Sequence, residues 1–386
     1  MSRAAAIMPG ATLGVLGGGQ LARMFAMAAR RLGYEVVVFA PDKDTPAGQV
    51  CPRTVTADYG DGQALREFAA QVEVVTLEFE NVPAQALETI EATTPVRPGS
   101  QVLAITQNRL KEKSFLAERG FPVTPFRAVR GVEQLLSELP RVGPPAVLKT
   151  VGFGYDGKGQ RLIASDQEAA QAFAELGSGE MVLERFVRLA MELSVIGARG
   201  IDGSFACFGP VENRHCQHIL DVSAVPAAVS AEVADRAVAL TKQVMEALDV
   251  VGLLCVEFFL SQTGELLVNE LAPRPHNSGH YSIEACPVSQ FEQQVRAITG
   301  LPLGATELLK PAAMANLLGD LWAGGEPDWT RVLCVPGVSL HLYGKREARP
   351  GRKMGHLTAL AASAQAARDL VLAARGQLSQ DGSLVR

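Results

Sequence analysis

The sequence predicts an α/β fold that passes into α+β: a parallel sheet flanked by helices, then antiparallel strands, then a small β-rich C-terminal region. Three observations predict it. Short apolar strands alternate with helices over the first hundred residues; longer strands in hairpin order run from Glu192 to Leu271; and composition turns rich in glycine and proline after "GLPLG" near 304. In order, "TLGVLGGG" reads as a strand running into glycines, "QLARMFAMAARRLG" as a helix closed by Gly33, and "YEVVVFAPD" as the next strand. "GQALREFAAQ" is again helical and "VEVVTLEFE" again a strand. The helix in "NRLKEKSFLAERGFPVTPF" stops at Gly120, where a proline-punctuated segment begins. "AVLKT", a glycine cluster, "QRLIA", the helix "DQEAAQAFAEL" and the strand "EMVLERFV" then form a small α+β unit. The longer strands "ELSVIGARG", "SFACFGPVE", "LLCVEFFL" and "ELLVNEL" are interrupted by the helix "SAEVADRAVALTKQVMEALD". "VSLHLYGK" and the tail helix "SAQAARDLVLAARG" close the chain. Three regions are the economical division, 1–112, 113–302 and 303–386, with 113–190 carrying the glycine cluster.

Composition excludes several classes. At 386 residues and 47% apolar content the chain has ample core and is not disordered. A net charge of −5, from 36 basic and 41 acidic residues, gives no global field to recruit nucleic acid or an anionic membrane. The six cysteines are scattered without a CxxC pair and read as buried thiols of a reducing compartment. "MSRAAAIMPG" lacks the apolar core of a signal peptide, and no apolar run is long enough to span a membrane. A cytoplasmic protein is expected.

Two glycine loops follow strands. "GVLGGGQLA" holds Gly17-x-Gly19-x-x-Ala22 ahead of a helix whose N-terminus favours an anion. A dinucleotide with Asp42 on its ribose, another phosphorylated ligand, and a merely tight turn all fit. "VLKTVGFGYDGKGQ" begins like a phosphate-binding P-loop at Gly152, Gly157 and Lys158. Gly159, however, stands where a serine or threonine must ligate magnesium, and a strand follows in place of a helix. It therefore reads as a glycine-rich hairpin able to fold over phosphates, with Lys149 aimed at them; a plain solvent hairpin is the competing reading.

"GLLCVEFFLSQTGELLVNEL" is a hairpin with carboxylates inside apolar strands. A four-residue turn at Ser261–Gly264 sets Glu257 against Val268 and Glu270 diagonal to Glu257 on one face. Two such anions repel and resist desolvation unless a hard cation joins them, and Mg²⁺ takes one or two carboxylates plus nucleotide phosphates. Outward-facing glutamates on a solvated face are the alternative. The run then enters "VNELAPRPHNSGH", a turn stiffened by two prolines and crowded with Arg274, His276, Asn277, Ser278 and His280.

Lys149, the strand-flanked glycine hairpin, "LERFV" and the two-glutamate hairpin occur in an order that resembles the ATP-grasp superfamily. "GGGQLARM", "GYDGKGQ", "NELAPRPHNSGH" and "RPGRKMGH" are similar to the motifs of N5-carboxyaminoimidazole ribonucleotide synthetases, from about residue 12 to about 360. The resemblance implies an N-terminal Rossmann-like domain (1–112), an ATP-grasp domain (113–302) and a C-terminal β-rich domain (303–386). For ATP it implies Arg109, Lys149 and the loop Gly154, Tyr155, Asp156, Gly157, Lys158, Gly159, Gln160; an adenine hinge at Glu184, Arg185, Phe186 and Val187; Glu192 on the ribose; and His215 nearby. Asn269 would stand beside Glu257 and Glu270, which would hold Mg²⁺, with Mn²⁺ as an alternative. For aminoimidazole ribonucleotide it implies Gln20, Glu78 or Glu80, Tyr155, Asp156, Lys158, Arg274 and His276, with Lys345, Arg352 and Lys353 at the 5′-phosphate. Three positions depart from the family pattern: Ala22 and His218 replace common glycines, and Lys158 stands where arginine also occurs.

The reaction so implied is carboxylation of the aminoimidazole amine with ATP and bicarbonate through carboxyphosphate, in purine biosynthesis. Lys149, Asp156, Arg274 and His276 are the catalytic candidates; the base that takes the amine proton is Asp156, His276 or released phosphate. A homodimer is expected, and a product handed to a separate mutase, since little chain follows residue 360. The rivals are a formate-dependent glycinamide ribonucleotide transformylase, an NAD(P)-dependent dehydrogenase on the first glycine loop, and a non-catalytic nucleotide-binding regulator. A zinc site is not expected, because no cysteine set lies near His276 and His280 in the sequence. No G-x-S-x-G elbow is present for a serine hydrolase, and "KREARPGRK" is too short and lacks the aromatics of a nucleic-acid patch.

Overall fold

The computed structural model describes residues 5–152, 159–177 and 179–378. Three sheets organise it. The first is parallel: β1 (Thr12–Leu16), β2 (Glu35–Ala40), β3 (Arg53–Thr56) and β4 (Val74–Leu77), in the order β3-β2-β1-β4. Helices cover both faces, with Phe25, Ala26 and Ala29 on one side and Leu65, Phe68, Leu87 and Ile90 on the other. Strand order reverses between β1 and β4, and a crevice opens at the carboxyl ends of such a pair. β3 was not legible in the sequence, since "RTVT" is a short, part-exposed edge strand with no apolar run.

The second sheet is antiparallel: β5 (Phe126–Val129), β6 (Ala146–Thr150), β7 (Gln160–Ile163) and β8 (Met181–Arg185), in the order β5-β8-β6-β7. β6 and β7 pair from Ala146↔Ile163 to Lys149↔Gln160, and the Thr150 amide donates to the Gly159 carbonyl at 2.9 Å. The second glycine loop thus joins two paired strands, as its sequence predicts.

The third sheet has eight antiparallel strands: β9 (Leu189–Arg199), β10 (Phe205–Cys216), β11 (Ile219–Val225), β12 (Gly252–Ser261), β13 (Leu266–Ala272), β14 (Ala312–Leu318), β15 (Val338–Leu342) and β16 (Lys353–Leu360). Their order is β13-β12-β9-β10-β11-β14-β16-β15, so the C-terminal strands extend the sheet that carries the glutamates. The helix Ala231–Ala247 packs Leu240, Val244 and Met245 on Val195, Leu254 and Val256. On the other face Ile196, Leu253 and Cys255 meet Tyr281 and Ala285.

The helix Gln290–Thr299 escaped the sequence reading because its polar residues are inside: Gln290, Glu292, Gln293 and Gln294 are all buried, which defeats an apolar period. The cysteines are free; Cys51, Cys255 and Cys286 are buried, whereas Cys216 and Cys334 are exposed, against expectation. Among the described residues no helix is long and apolar enough to cross a membrane.

Candidate active site

The acidic hairpin corrects its sequence reading. The connection between β12 and β13 closes with Leu260 opposite Leu266, and Phe258 opposite Val268. Glu257 then faces Glu270 directly, because the ladder shifts by one residue and leaves Asn269 unpaired. Without that bulge Asn269 would oppose Glu257 and Glu270 would turn to the other face. The carboxylates do share a face, but as direct neighbours and not as diagonal ones. Burial opposes ionisation of Glu257, yet His276, donating from Nε2 to Oε1 at 2.8 Å, and then His215 and Arg274 hold its pKa down to about 2. Burial and then the neighbouring Glu257 and Glu80 charges raise Glu270, against Arg109 and Lys149. A proton entering this pair goes to Glu270.

The cations come from the neighbouring elements. Arg109 opens the helix Arg109–Glu118, capped by the Asn108 side chain, and its guanidinium donates to the Thr150 carbonyl at 3.2 Å. Lys149, at the end of β6, pairs with Glu184 at 3.0 Å, and buried Lys113 reaches the same oxygen at 3.3 Å. Burial lowers the Lys149 pKa, with Glu184 working the other way. Glu184 is only 2% exposed, its carboxylate serves the two lysines, and its backbone lies in β8 opposite Phe126 and Val147. Arg185 and Phe186 are exposed and Val187 half-buried where β8 ends.

Beyond Glu270 the polar turn is gripped from three sides. Arg274 forms a two-pronged pair with Glu80, through Nε and, at 2.9 Å, Nη2. Burial opposes the charge on Glu80, but Arg274 brings its pKa down to about 2. Gln290 accepts from the His276 amide (2.9 Å) and donates to the His276 carbonyl (2.8 Å) and His280 Nδ1 (3.0 Å). Asn277 and Asn316 exchange amide hydrogen bonds at 2.6 and 3.1 Å. Ser278 and His280 are buried, so with Asn277 they hold the turn; Arg274 and His276 remain partly exposed.

The first glycine loop is filled by the protein itself. Glu78, just past β4 at the strand-order reversal, accepts from the Gly19 amide at 2.7 Å and the Ala22 amide at 3.3 Å. A Cβ at Gly17 would lie 2.2 Å from Glu78 Cγ, and one at Gly19 2.4 Å from its Oε1. The glycines therefore admit a carboxylate to the helix N-terminus, where a dinucleotide phosphate would have to sit. Burial raises the Glu78 pKa, with the two amides, Lys345 and Arg274 favouring its charge. Gln20, the first residue of the helix Gln20–Arg31, is half-buried beside this loop.

On the far wall His215 hydrogen-bonds Glu192; burial lowers its pKa, but Glu192 outweighs that and raises it. Gln217 and His218 form the turn between β10 and β11 with φ of 48° and 66°, a conformation suited to glycine. His218 Nδ1 lies 3.4 Å from the Gln160 amide nitrogen. Lys345 donates to the Lys353 carbonyl at 2.7 Å, and Arg352 to that of Glu347 at 2.8 Å. Gly154, Tyr155, Asp156, Gly157 and Lys158 lie outside the described residues.

Three groups were missed by sequence reasoning. Lys113 is one; Glu112, beside it, accepts from the Leu271 amide at 3.0 Å, and burial plus Glu270 push its pKa well up. Gln290 is another. The third is Cys255, whose thiol lies with Glu257 and His276 donor atoms within 4.8 Å of one another, the one metal-competent His/Cys/Asp/Glu grouping among the described residues. The period-two spacing of Cys255 and Glu257 on one strand was the available signal.

A parallel sheet feeding an antiparallel hairpin sheet and a large sheet with paired acids defines an ATP-grasp protein, and residues 114–291 match the ATP-grasp domain family. Residues 10–107 match the ribonucleotide synthetase preATP-grasp domain, and 312–370 the phosphoribosylaminoimidazole carboxylase C-terminal domain. The N5-carboxyaminoimidazole ribonucleotide synthase of Brucella melitensis is 46% identical over 91% of this chain and 97% of its own. That of Bacillus subtilis is 46% identical over 91% and 92%. The Thermus thermophilus synthetase structure superposes with a TM-score of 0.88 at 42% identity, covering 96% of this chain and 99% of that one. The Aspergillus clavatus synthase, solved with ADP and 5-aminoimidazole ribonucleotide, gives 0.88 at 32% identity over 95% and 98%. The chain belongs to the N5-carboxyaminoimidazole ribonucleotide synthase family.

Proposed function

We propose that this chain carboxylates 5-aminoimidazole ribonucleotide to N5-carboxyaminoimidazole ribonucleotide, using ATP and bicarbonate and releasing ADP and phosphate, in purine biosynthesis. The observation that carries the reading is Glu257 facing Glu270 beside Arg109 and Lys149, with Arg274 and His276 in the turn that follows. Acids placed directly opposite repel, and a shared hard cation relieves that repulsion, so the donor set fits Mg²⁺ or Mn²⁺ held by Glu257 and Glu270. Bound there with ATP, the ion would neutralise charge on the transferring phosphoryl group.

The chain's own residues do the rest. Lys149 and Arg109 hold the phosphates for in-line attack by a bicarbonate oxygen on the γ-phosphorus; the O–P bond forms as the bond to ADP breaks. The exocyclic amine of the acceptor then attacks the carboxyphosphate carbon, phosphate leaves, and the amine loses a proton. Arg274 orients the carboxylate oxygens with its planar fork. Gln20, Lys345, Arg352 and Lys353 line the acceptor's side, its 5′-phosphate taken by the last three. Glu78 and Glu80 act there indirectly, the first by bracing the glycine loop and the second by aiming Arg274. The loop Gly154–Lys158, with Gly159 and Gln160, covers the phosphates and excludes water. Glu192 and His215 take the ribose of ATP, and the backbone of Glu184–Val187 its adenine. Asn269, set out of the ladder, borders the metal position. The working units are residues 1–112, 113–302 and 303–386; the enzyme works as a homodimer and passes its product to a separate mutase.

ADP release followed with and without aminoimidazole ribonucleotide in bicarbonate buffer tests the reading. Acceptor-dependent ADP release supports it. Turnover seen with formate and glycinamide ribonucleotide in their place overturns it.

A further inference from the structure

We infer that His276 acts as a hydrogen-bond donor through Nε2–H and not as the base that deprotonates the amine, and that buried Ser278 is the positioning residue that fixes this tautomer. The inference rests on the proposed site, in which His276 borders the reaction.

His276 sits at the open end of one hydrogen-bonded string that runs into the buried sheet. At the open end, His276 Nε2 lies 2.8 Å from the Glu257 carboxylate, which only accepts. Nε2 therefore carries a proton. At the other ring nitrogen, Nδ1 meets the Ser278 hydroxyl at 2.8 Å and the Ser278 backbone amide at 3.4 Å. An amide only donates, so Nδ1 is an acceptor.

The Ser278 hydroxyl lies 2.7 Å from Ser194 Oγ. Ser194 Oγ in turn accepts from the Asn213 Nδ2 amide at 2.9 Å, and Asn213 Oδ1 accepts from the Ser223 hydroxyl at 2.8 Å. With Asn213 in that orientation Ser194 has one proton left, and it goes to Ser278; Ser278 must then give its own to His276 Nδ1. Ser194, Asn213, Ser223 and Ser278 are at most 5% exposed, so no water competes to reverse the string. Reversing it would turn Asn213 over and set a bare Nε2 against a carboxylate.

The consequence is chemical. A ring nitrogen that already bears a proton cannot take one from the amine, which leaves that proton to Asp156 or to the released phosphate. When Glu257 is engaged by the cation, the same N–H is left for a substrate oxygen, where a fixed donor stabilises developing charge.

The test has two readouts. Nitrogen-15 NMR of the substrate-free protein, with six histidines in all and His276 assigned by His276→Gln, reports which ring nitrogen carries hydrogen. The expected result is a protonated Nε2 and a bare Nδ1, a measurable rise in the Nδ1–H tautomer in Ser278→Ala, where the Glu257 carboxylate and the backbone amide still favour the original form, and its reversal in Ser278→Thr. The kcat for acceptor-dependent ADP release falls about tenfold in Ser278→Ala, with the KM for ATP unchanged and recovery in Ser278→Thr. Ser194→Ala, one link further away, gives a smaller shift in both and stands in if the buried threonine is not tolerated. A proton on Nδ1 of the unaltered protein overturns the inference, as does a Ser278→Ala protein with unchanged tautomer and kcat. If no acceptor-dependent ADP release occurs at all, the proposed function falls while the NMR still decides the tautomer.

Discussion

Glu257 stands directly opposite Glu270 because a single residue, Asn269, is squeezed out of the ladder between β12 and β13. A bulge re-aims every side chain beyond it, and here it carries the second acid onto the face of the first. Such a pair opposes folding unless something binds it. Glu270→Gln is expected to stabilise the metal-free protein by about 0.2–1 kcal/mol. The same change should lower acceptor-dependent turnover by more than about 100-fold, since a proposed ligand of the cation that would neutralise transition-state charge is lost. Denaturant melts in EDTA and initial rates in Mg²⁺ check the two halves.

Gln290 fastens the turn that carries His276, through three hydrogen bonds to its backbone and to His280. Gln290→Ala leaves those buried groups without partners, each costing about 1–3 kcal/mol before relaxation. A net destabilisation of at least about 2 kcal/mol is expected in urea titrations.

His280 and His356 are buried with ring centroids 4.8 Å apart, and His341 stacks on His356 at 4.4 Å. Burial first, then the cost of adding a second proton beside neighbouring basic groups (His276, His341, Lys353 and Arg274 about His280; His280 and His341 about His356), holds both pKa values well below the ordinary 6.5. A depressed native pKa means the unfolded chain binds the proton more tightly. Stability is therefore full above about pH 6.5 and falls as pH drops below it, by about 1.4 kcal/mol per pH unit for each histidine. His356→Phe should remove about half of the combined slope in urea midpoints between pH 6.5 and 5.

His218 occupies the left-handed region at φ 66° in the turn after β10. A side chain there costs about 1–2 kcal/mol that glycine avoids. His218→Gly is expected to stabilise the protein by about 1 kcal/mol, less what the long contact with Gln160 contributes, as read from the thermal midpoint.

What the sequence revealed followed from local rules. Alternation of apolar runs marked β1, β2 and β4, and the turn residues after Leu260 marked a hairpin with two acids in it. Register was not legible, because the bulge at Asn269 adjoins Val268, which bonds to the Pro122–Val123 segment from outside the hairpin, a contact the hairpin's own residues do not reveal. The role of the first glycine loop was not legible for a similar reason. Its glycines make room for Glu78, some sixty residues away in the chain, and only the fold brings that carboxylate to the helix N-terminus. Strand β14 was missed because "AAMANLL" is buried on both faces and shows no alternation. In the sequence Asn277, Ser278 and His280 are indistinguishable from Arg274 and His276 as polar members of one turn, and only the fold shows that the first three hold it.

Glu257 and Glu270 are proposed to clasp one divalent cation together with the nucleotide phosphates, and calorimetric titration of ADP into the protein, with Mg²⁺ and again with EDTA, measures this. Tight binding in Mg²⁺, a large loss of affinity in EDTA, and no difference between the two conditions in the Glu257→Gln/Glu270→Gln double variant are expected. Equal affinity with and without Mg²⁺ in the unaltered protein, or a metal dependence that survives removal of both acids, would contradict it.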